Sequence, residues 1–249
     1  MDKKKFPGNN FCLLPNHHAA FVVIQKNANS FLKQTAYFLK TNKIEKNFDL
    51  LNVYKIGEQP KKIKGIAEYL FTCLKAPLHG KEWRARYLSN FNYLIPVSEM
   101  PEYEKANGKL MKFAVHRDPV GRFISCYKFF ISEVHLRRKR RKYFEYLDLY
   151  NDTSFERFVQ FAEFELSKSN IENQDAHFRR QSDFYKPEDV DYIVPMEKLS
   201  LFLEEKGIPT ATTTKANATQ PSVPEDVTPE LIDRIKKLYS ADYNIKVNY

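Results

Sequence analysis

The chain alternates short runs of consecutive apolar residues with longer stretches in which apolar positions recur every three or four residues. Residues 19–25 (AAFVVIQ), 110–116 (LMKFAVH) and 191–196 (DYIVPM) read as buried strands, and 48–56 (FDLLNVYKI) as a further one. Helical period appears over about 30–40, over 152–167, and over 63–77, where the pattern stops at Pro77. Asp118 and Pro119 supply an N-cap and a first-position proline. The helix they open carries Phe123, Cys126, Tyr127, Phe130 and Val134 on one face. A helix from Leu199 closes at Gly207, residues 210–229 form a loop rich in Thr, Ala and Pro, and a capped terminal helix follows over 228–243. There is no internal repeat. Apolar strands alternating with helices predict an α/β fold, a parallel sheet covered by helices on both faces, with ligands at the carboxyl ends of its strands.

Composition narrows this picture only a little. The 249 residues suffice for one large α/β domain, taken here as 1–249. A hydrophobic content of 43% and a charged content of 29% are those of a soluble globular protein, and seven glycines argue against glycine-rich loops. The net charge of +9 attracts polyanions, although the run RRKRRK at 137–142 alone carries six positive charges. Cys12, Cys73 and Cys126 have no C-x-x-C spacing, so neither a disulfide framework nor a zinc site is expected. The basic start is followed by no apolar core of a signal peptide, and no run approaches the roughly 18 apolar residues of a membrane span. The expected location is cytoplasmic, or that of a soluble catalytic domain of a membrane-anchored enzyme.

Candidate chemistry sits at two strand ends. In VVIQKNANSFLKQ (22–34) an apolar run stops, a polar turn with one lysine follows, and a helix begins. That order surrounds an anion with backbone N–H groups and a cation, yet the loop lacks the glycines of a Walker motif. In FAVHRDPVGRFISCYKFF (113–130) a strand delivers Arg117 to its end, Asp118 caps a helix, and Ser125 lies two turns in. Arg117 offers a planar fork for a phosphate and Ser125 a hydroxyl, and a surface ion pair is the equally ordinary use of such an arginine.

Taken together, these residues resemble the PAPS-dependent sulfotransferases, in particular the carbohydrate sulfotransferases that include uronyl and chondroitin enzymes and bacterial relatives. The family's 5′-phosphosulfate loop, P-K-x-A/G-x-S/T, is similar to Gln25-Lys26-Asn27-Ala28-Asn29-Ser30, with Gln25 in place of proline. Its 3′-phosphate motif, R-D-P-x-x-R-x-x-S-x-Y, is matched by Arg117, Asp118, Pro119, Arg122, Ser125 and Tyr127. Further similarity lies in HFRRQSDFY (177–185), DYIVPMEKL (191–199), Asn217 and LYSADY (238–243). The resemblance implies a fold related to P-loop kinases and PAPS as co-substrate without a metal. It implies a cofactor site of Lys26, Asn27, Ala28, Asn29, Ser30, Phe31, Arg117, Ser125 and Asn217. The implied reaction moves a sulfuryl group to a hydroxyl, with a glycan as the favoured acceptor and the basic surface favouring an anionic one.

Such a transfer needs a base, and histidine has the suitable pKa. His17 and His18 precede the first expected strand, His116 stands beside Arg117, whose charge disfavours an imidazolium, and His135 adjoins the basic run. In the related enzymes a histidine between the two motifs is the base, which implies His79 in LHGKEWRARYL (78–88). His177 is implied as an acceptor contact or alternate base, and Glu82 is an acidic alternative. Two other classes stand beside the transferase: a nucleic-acid- or polyanion-binding protein, for which no recognition module is present, and a small-molecule kinase on the same fold, which lacks G-x-x-x-x-G-K-[ST].

Overall fold

The computed structural model describes residues 9–42, 94–132, 152–210 and 224–249. The expected strand at 48–56 and helix at 63–77 lie outside them, as do Cys73, His79, Glu82, His135, the 137–142 run and Asn217.

Among the described residues, five strands form one sheet: β1 Asn10–Leu14, β2 Ala19–Val22, β3 Leu94–Pro96, β4 Met111–His116 and β5 Tyr192–Pro195, in the order β3-β1-β2-β4-β5. β2, β4 and β5 are mutually parallel, as the strand–helix alternation predicts, but β1 runs antiparallel to both β2 and β3. The sheet is therefore mixed, which corrects the expectation of a parallel one. β1 returns to β2 through a hairpin over Pro15–His18, with Asn16 (φ 67°) and His18 (φ 45°) in the left-handed region. Such a hairpin is short-range geometry that an apolar run of four residues barely announces. His17 and His18 consequently lie between two strands.

Alternation along each strand sorts the core into two layers. Phe21, Phe113, Val115 and Val194 pack with Leu32 and Ala36 of helix α1 (Asn29–Thr41) and with Leu199, Phe202 and Leu203 of α5 (Leu199–Glu205). Ala20, Val22, Ala114 and Ile193 face the other way, onto Met100 of α2 (Met100–Asn107), Leu110, Phe184 and Tyr185. Both faces are covered, and Ala20, Phe21, Val22, Phe113 and Ala114 of the central strands β2 and β4 are under 4% exposed. α3 (Pro119–Ser132), α4 (Phe155–Ser167) and α6 (Pro229–Leu238) form a further aromatic cluster, in which Phe123, Phe130, Phe155, Phe158, Phe178 and Tyr239 are buried. The expected caps of α3 and α6 hold: Gly121 N–H donates to Asp118 Oδ2 at 2.6 Å and Leu231 N–H to Thr228 Oγ1 at 3.4 Å. The terminal helix breaks at Tyr239, and a separate turn, α7 (Ser240–Tyr243), follows. Tyr239 Oη donates to the Phe178 carbonyl at 2.8 Å and so pins the segment from 177 to 181 against this cluster. No described helix is long and apolar enough to cross a membrane.

Candidate active site

Because β2 and β4 are adjacent and parallel, the loops that follow them leave the sheet at the same end. The first loop, residues 23–28, holds a conformation that its side chains resist. Lys26 (φ 68°) and Ala28 (φ 53°) are both left-handed, which costs roughly 1–2 kcal/mol for a residue with a Cβ. Three anchors impose it. Arg117 donates from a terminal guanidinium nitrogen to the Lys26 carbonyl at 2.9 Å, Arg122 Nε donates to the Gln25 carbonyl at 3.1 Å, and Asn27 Nδ2 donates to the Val115 carbonyl at 2.7 Å. Arg122 is 2% exposed, so the second arginine of the motif is a buried brace. Helix α1 then starts with Ala28 as a cap that offers no side-chain acceptor, and with no acid in its first turn. The first N–H groups of any helix have no intrahelical partner and carry the positive end of its dipole. Here no side chain of the cap and no acid of the first turn meets that end, and the Asn27 and Asn29 side chains beside it are buried, each with an Oδ1 acceptor that has no partner. Ser30 and Phe31, both half-buried, belong to the same first turn.

The second loop is two residues long. Arg117 is half-buried, and burial, then Arg122, pulls its guanidinium below the usual arginine range. Both hold it against the aid of Asp118. Ser125 is half-buried on α3. The structure thus brings Lys26, Asn27, Ala28, Asn29, Ser30, Phe31 and Arg117 to the carboxyl ends of two neighbouring strands, with Ser125 further along the helix that follows β4. The Asn27 side chain tethers the loop, its amide N–H groups going to the Val115 carbonyl and to Gln181 Oε1.

His177 belongs to this end of the sheet. Its Nδ1 is 2.7 Å from Asp175 Oδ1, and its ring stacks on Phe129 at 5.5 Å between centroids, 15° from parallel. Lys26 Nζ lies 4.3 Å from the centroid of that same Phe129 ring. One aromatic residue of α3 therefore carries both the lysine and the histidine. Arg122 also donates to the Ala176 carbonyl at 3.5 Å, which ties this segment to the first loop. Burial lowers the pKa of His116 from the ordinary 6.5, while Asp242, Asp118 and Glu197 pull the other way, so the cause is burial and not the charge of Arg117.

Sequence reasoning missed Asp175, Phe129 and Asp242 and gave Gln181 no role. Gln181 and Asp242 stand within the stretches 177–185 and 238–243, but their partners are 61 to 154 residues distant, and no local pattern announces such contacts. Asp175-Ala176-His177 has the i, i+2 spacing of an Asx turn, which was available as a signal: His177 N–H also donates to Asp175 Oδ1 at 2.8 Å.

The model of the sulfotransferase family matches residues 9–245. No curated protein and no solved structure matches the chain.

Proposed function

The chain belongs to the sulfotransferase family and is a transferase of sulfuryl groups, and from that premise we propose that its donor is PAPS and its acceptor a hydroxyl of a glycan. The observation that carries the reading is the pair of cationic loops at the ends of β2 and β4. PAPS has two separate anions, a 5′-phosphosulfate and a 3′-phosphate, and a single Walker loop would hold only one of them. The uncapped N-terminus of α1 suits the phosphosulfate, with Lys26 and Ser30 beside it. Arg117 and Ser125 suit the 3′-phosphate. Asn217 is the remaining cofactor residue of this proposal. The architecture then corresponds to that of P-loop kinases, with a sulfonate donor where those enzymes hold ATP, on one domain over 1–249.

In the reaction, the acceptor oxygen forms a bond to sulfur while the bond from sulfur to the bridging phosphate oxygen breaks, and PAP leaves with the electron pair. Charge develops on the leaving oxygen, where Lys26 and helix N–H groups stabilise it. The acceptor's proton passes to a histidine. His177 has the suitable build: Asp175 on Nδ1 favours the tautomer in which Nε2 accepts. His79 is the second candidate for this base. The positive charge of the chain favours an anionic acceptor, and the 137–142 run would attract it.

The test is transfer of label from PAPS to a panel of glycans and small alcohols. Lys26→Ala should lower kcat by at least about 100-fold, the effect of removing one preorganised donor to developing charge. Of His177→Ala and His79→Ala, the true base should lose about 100- to 10,000-fold in kcat with PAP binding retained. Transfer at an undiminished rate by Lys26→Ala would contradict the site.

A further inference from the structure

Gln181 is 0% exposed, and all its polar side-chain atoms are engaged. Its Oε1 accepts from the Arg117 backbone N–H at 3.0 Å and from Asn27 Nδ2, while its Nε2 donates to the Arg117 carbonyl at 2.8 Å. The side-chain amide thus pairs with Arg117 as a neighbouring strand's peptide would, one residue past the end of β4. The N–H and C=O of Arg117 dictate which way round the amide lies. Its second acceptor bond reaches the first loop through Asn27, which in turn is held to Val115 in β4. Gln181 is consequently a contact common to both anion loops.

Gln181 is itself locked by Asp242 of α7, also 0% exposed. Asp242 Oδ2 accepts from Gln181 N–H at 2.9 Å and from Gln181 Nε2 at 3.5 Å. Its Oδ1 accepts from Ser182 N–H at 2.9 Å and Ser182 Oγ at 3.0 Å. A buried carboxylate with four donors is a fixed object, and charge-assisted hydrogen bonds of this kind are the strong ones. The chain of contacts runs from Asp242 through Gln181 to Arg117 on one side and to Asn27 on the other.

We propose that Gln181, held by Asp242, is the positioning residue that sets the spacing between the two anion loops, so that both phosphates of one nucleotide are held together. The inference rests on the reading of the two loops as a PAPS site and adds what makes the site selective for a bisphosphate. A ligand with two anions gains from both subsites only when their separation matches its own. A monophosphate uses one subsite and is indifferent to that separation.

Calorimetry with adenosine 3′,5′-bisphosphate (PAP), 3′-AMP and 5′-AMP separates the two cases, on the full chain, after a thermal melt shows that each variant is folded. Gln181→Ala should weaken PAP about 10- to 100-fold, the scale of a lost geometric match, while either monophosphate changes by less than about 2-fold. Asp242→Asn keeps the volume, removes the charge, and should shift the same ratio in the same direction by less. It supplies the result if Gln181→Ala does not fold. A folded variant that keeps the PAP preference, or that loses all three ligands in equal proportion, overturns the proposal and leaves the site intact. A wild-type chain that binds none of the three overturns the site and this inference with it.

Discussion

The two loops at the carboxyl end of the sheet begin their helices in opposite ways. After β2, the turn is strained at Lys26 and Ala28, and α1 has neither a capping side chain nor an acid in its first turn. After β4, Asp118 accepts from Gly121 N–H, Pro119 occupies the first helical position, and no described residue of the turn from 116 to 120 has a positive φ. The second helix has filled its own N-terminus with a carboxylate. In the proposed site, an anion at the first loop would be met by backbone N–H groups, and one at the second by the side chains of Arg117 and Ser125. The contrast matches the parts the two anions of the proposed donor would play. The reacting phosphosulfate needs donors that do not reorganise as charge builds, whereas the 3′-phosphate is a handle for recognition. The local strain at the first loop is the kind that persists where neighbouring structure over-determines it, here the two arginines and Asn27.

The difference in capping is the easiest feature to break. Asp118→Ala should cost about 0.5–2 kcal/mol of stability, the range for a lost N-cap, with the loss read from urea unfolding. Ala28→Gly should act in the opposite direction and stabilise by up to roughly 1 kcal/mol, since glycine adopts the left-handed conformation without a Cβ penalty. Two changes of equal sign would show that the loops are built alike.

A smaller effect concerns His116, which ends β4 just before the second loop. Burial holds its folded pKa below the ordinary 6.5, against Asp242, Asp118 and Glu197. The folded state therefore takes up this proton less readily than the unfolded chain. The stability that follows is fully present above the unfolded pKa and is lost as pH falls from there toward the folded value. Denaturant midpoints should decline as pH is lowered through the region of 6.5, and His116→Asn should flatten that decline. An equally steep profile in the variant would place the proton on another group.

Much of the fold is legible in the chain because it is local. The runs at 19–25, 110–116 and 191–196 coincide with β2, β4 and β5, and Asp118-Pro119 and Thr228-Pro229 mark helix starts by chemistry that needs only three neighbouring residues. β1 and β3 are the omissions. β3 has three residues, too few for a period, and β1 has a partner on each side only because a hairpin folds it back. The site divides along the same line. Residues that would touch the donor stand in two contiguous motifs, and so they are visible. The residues that hold those motifs in place are not: Gln181 meets Asn27 across 154 residues, and Asp242 meets Gln181 across 61. Arg122 shows the limit in one residue. The motif contains it, but only the fold reveals that it is buried under the Gln25 carbonyl.

Two unlike anion sites acting on one nucleotide are tested most directly by titrating PAP into the wild-type chain and Arg117→Ala, with MgATP as the comparison ligand. PAP should bind the wild type and MgATP should not compete with it. Arg117→Ala should weaken PAP by about 1.5–3 kcal/mol, the range for hydrogen bonds to charged groups. Unchanged PAP affinity in Arg117→Ala, or MgATP binding more tightly than PAP to the wild type, would contradict the account.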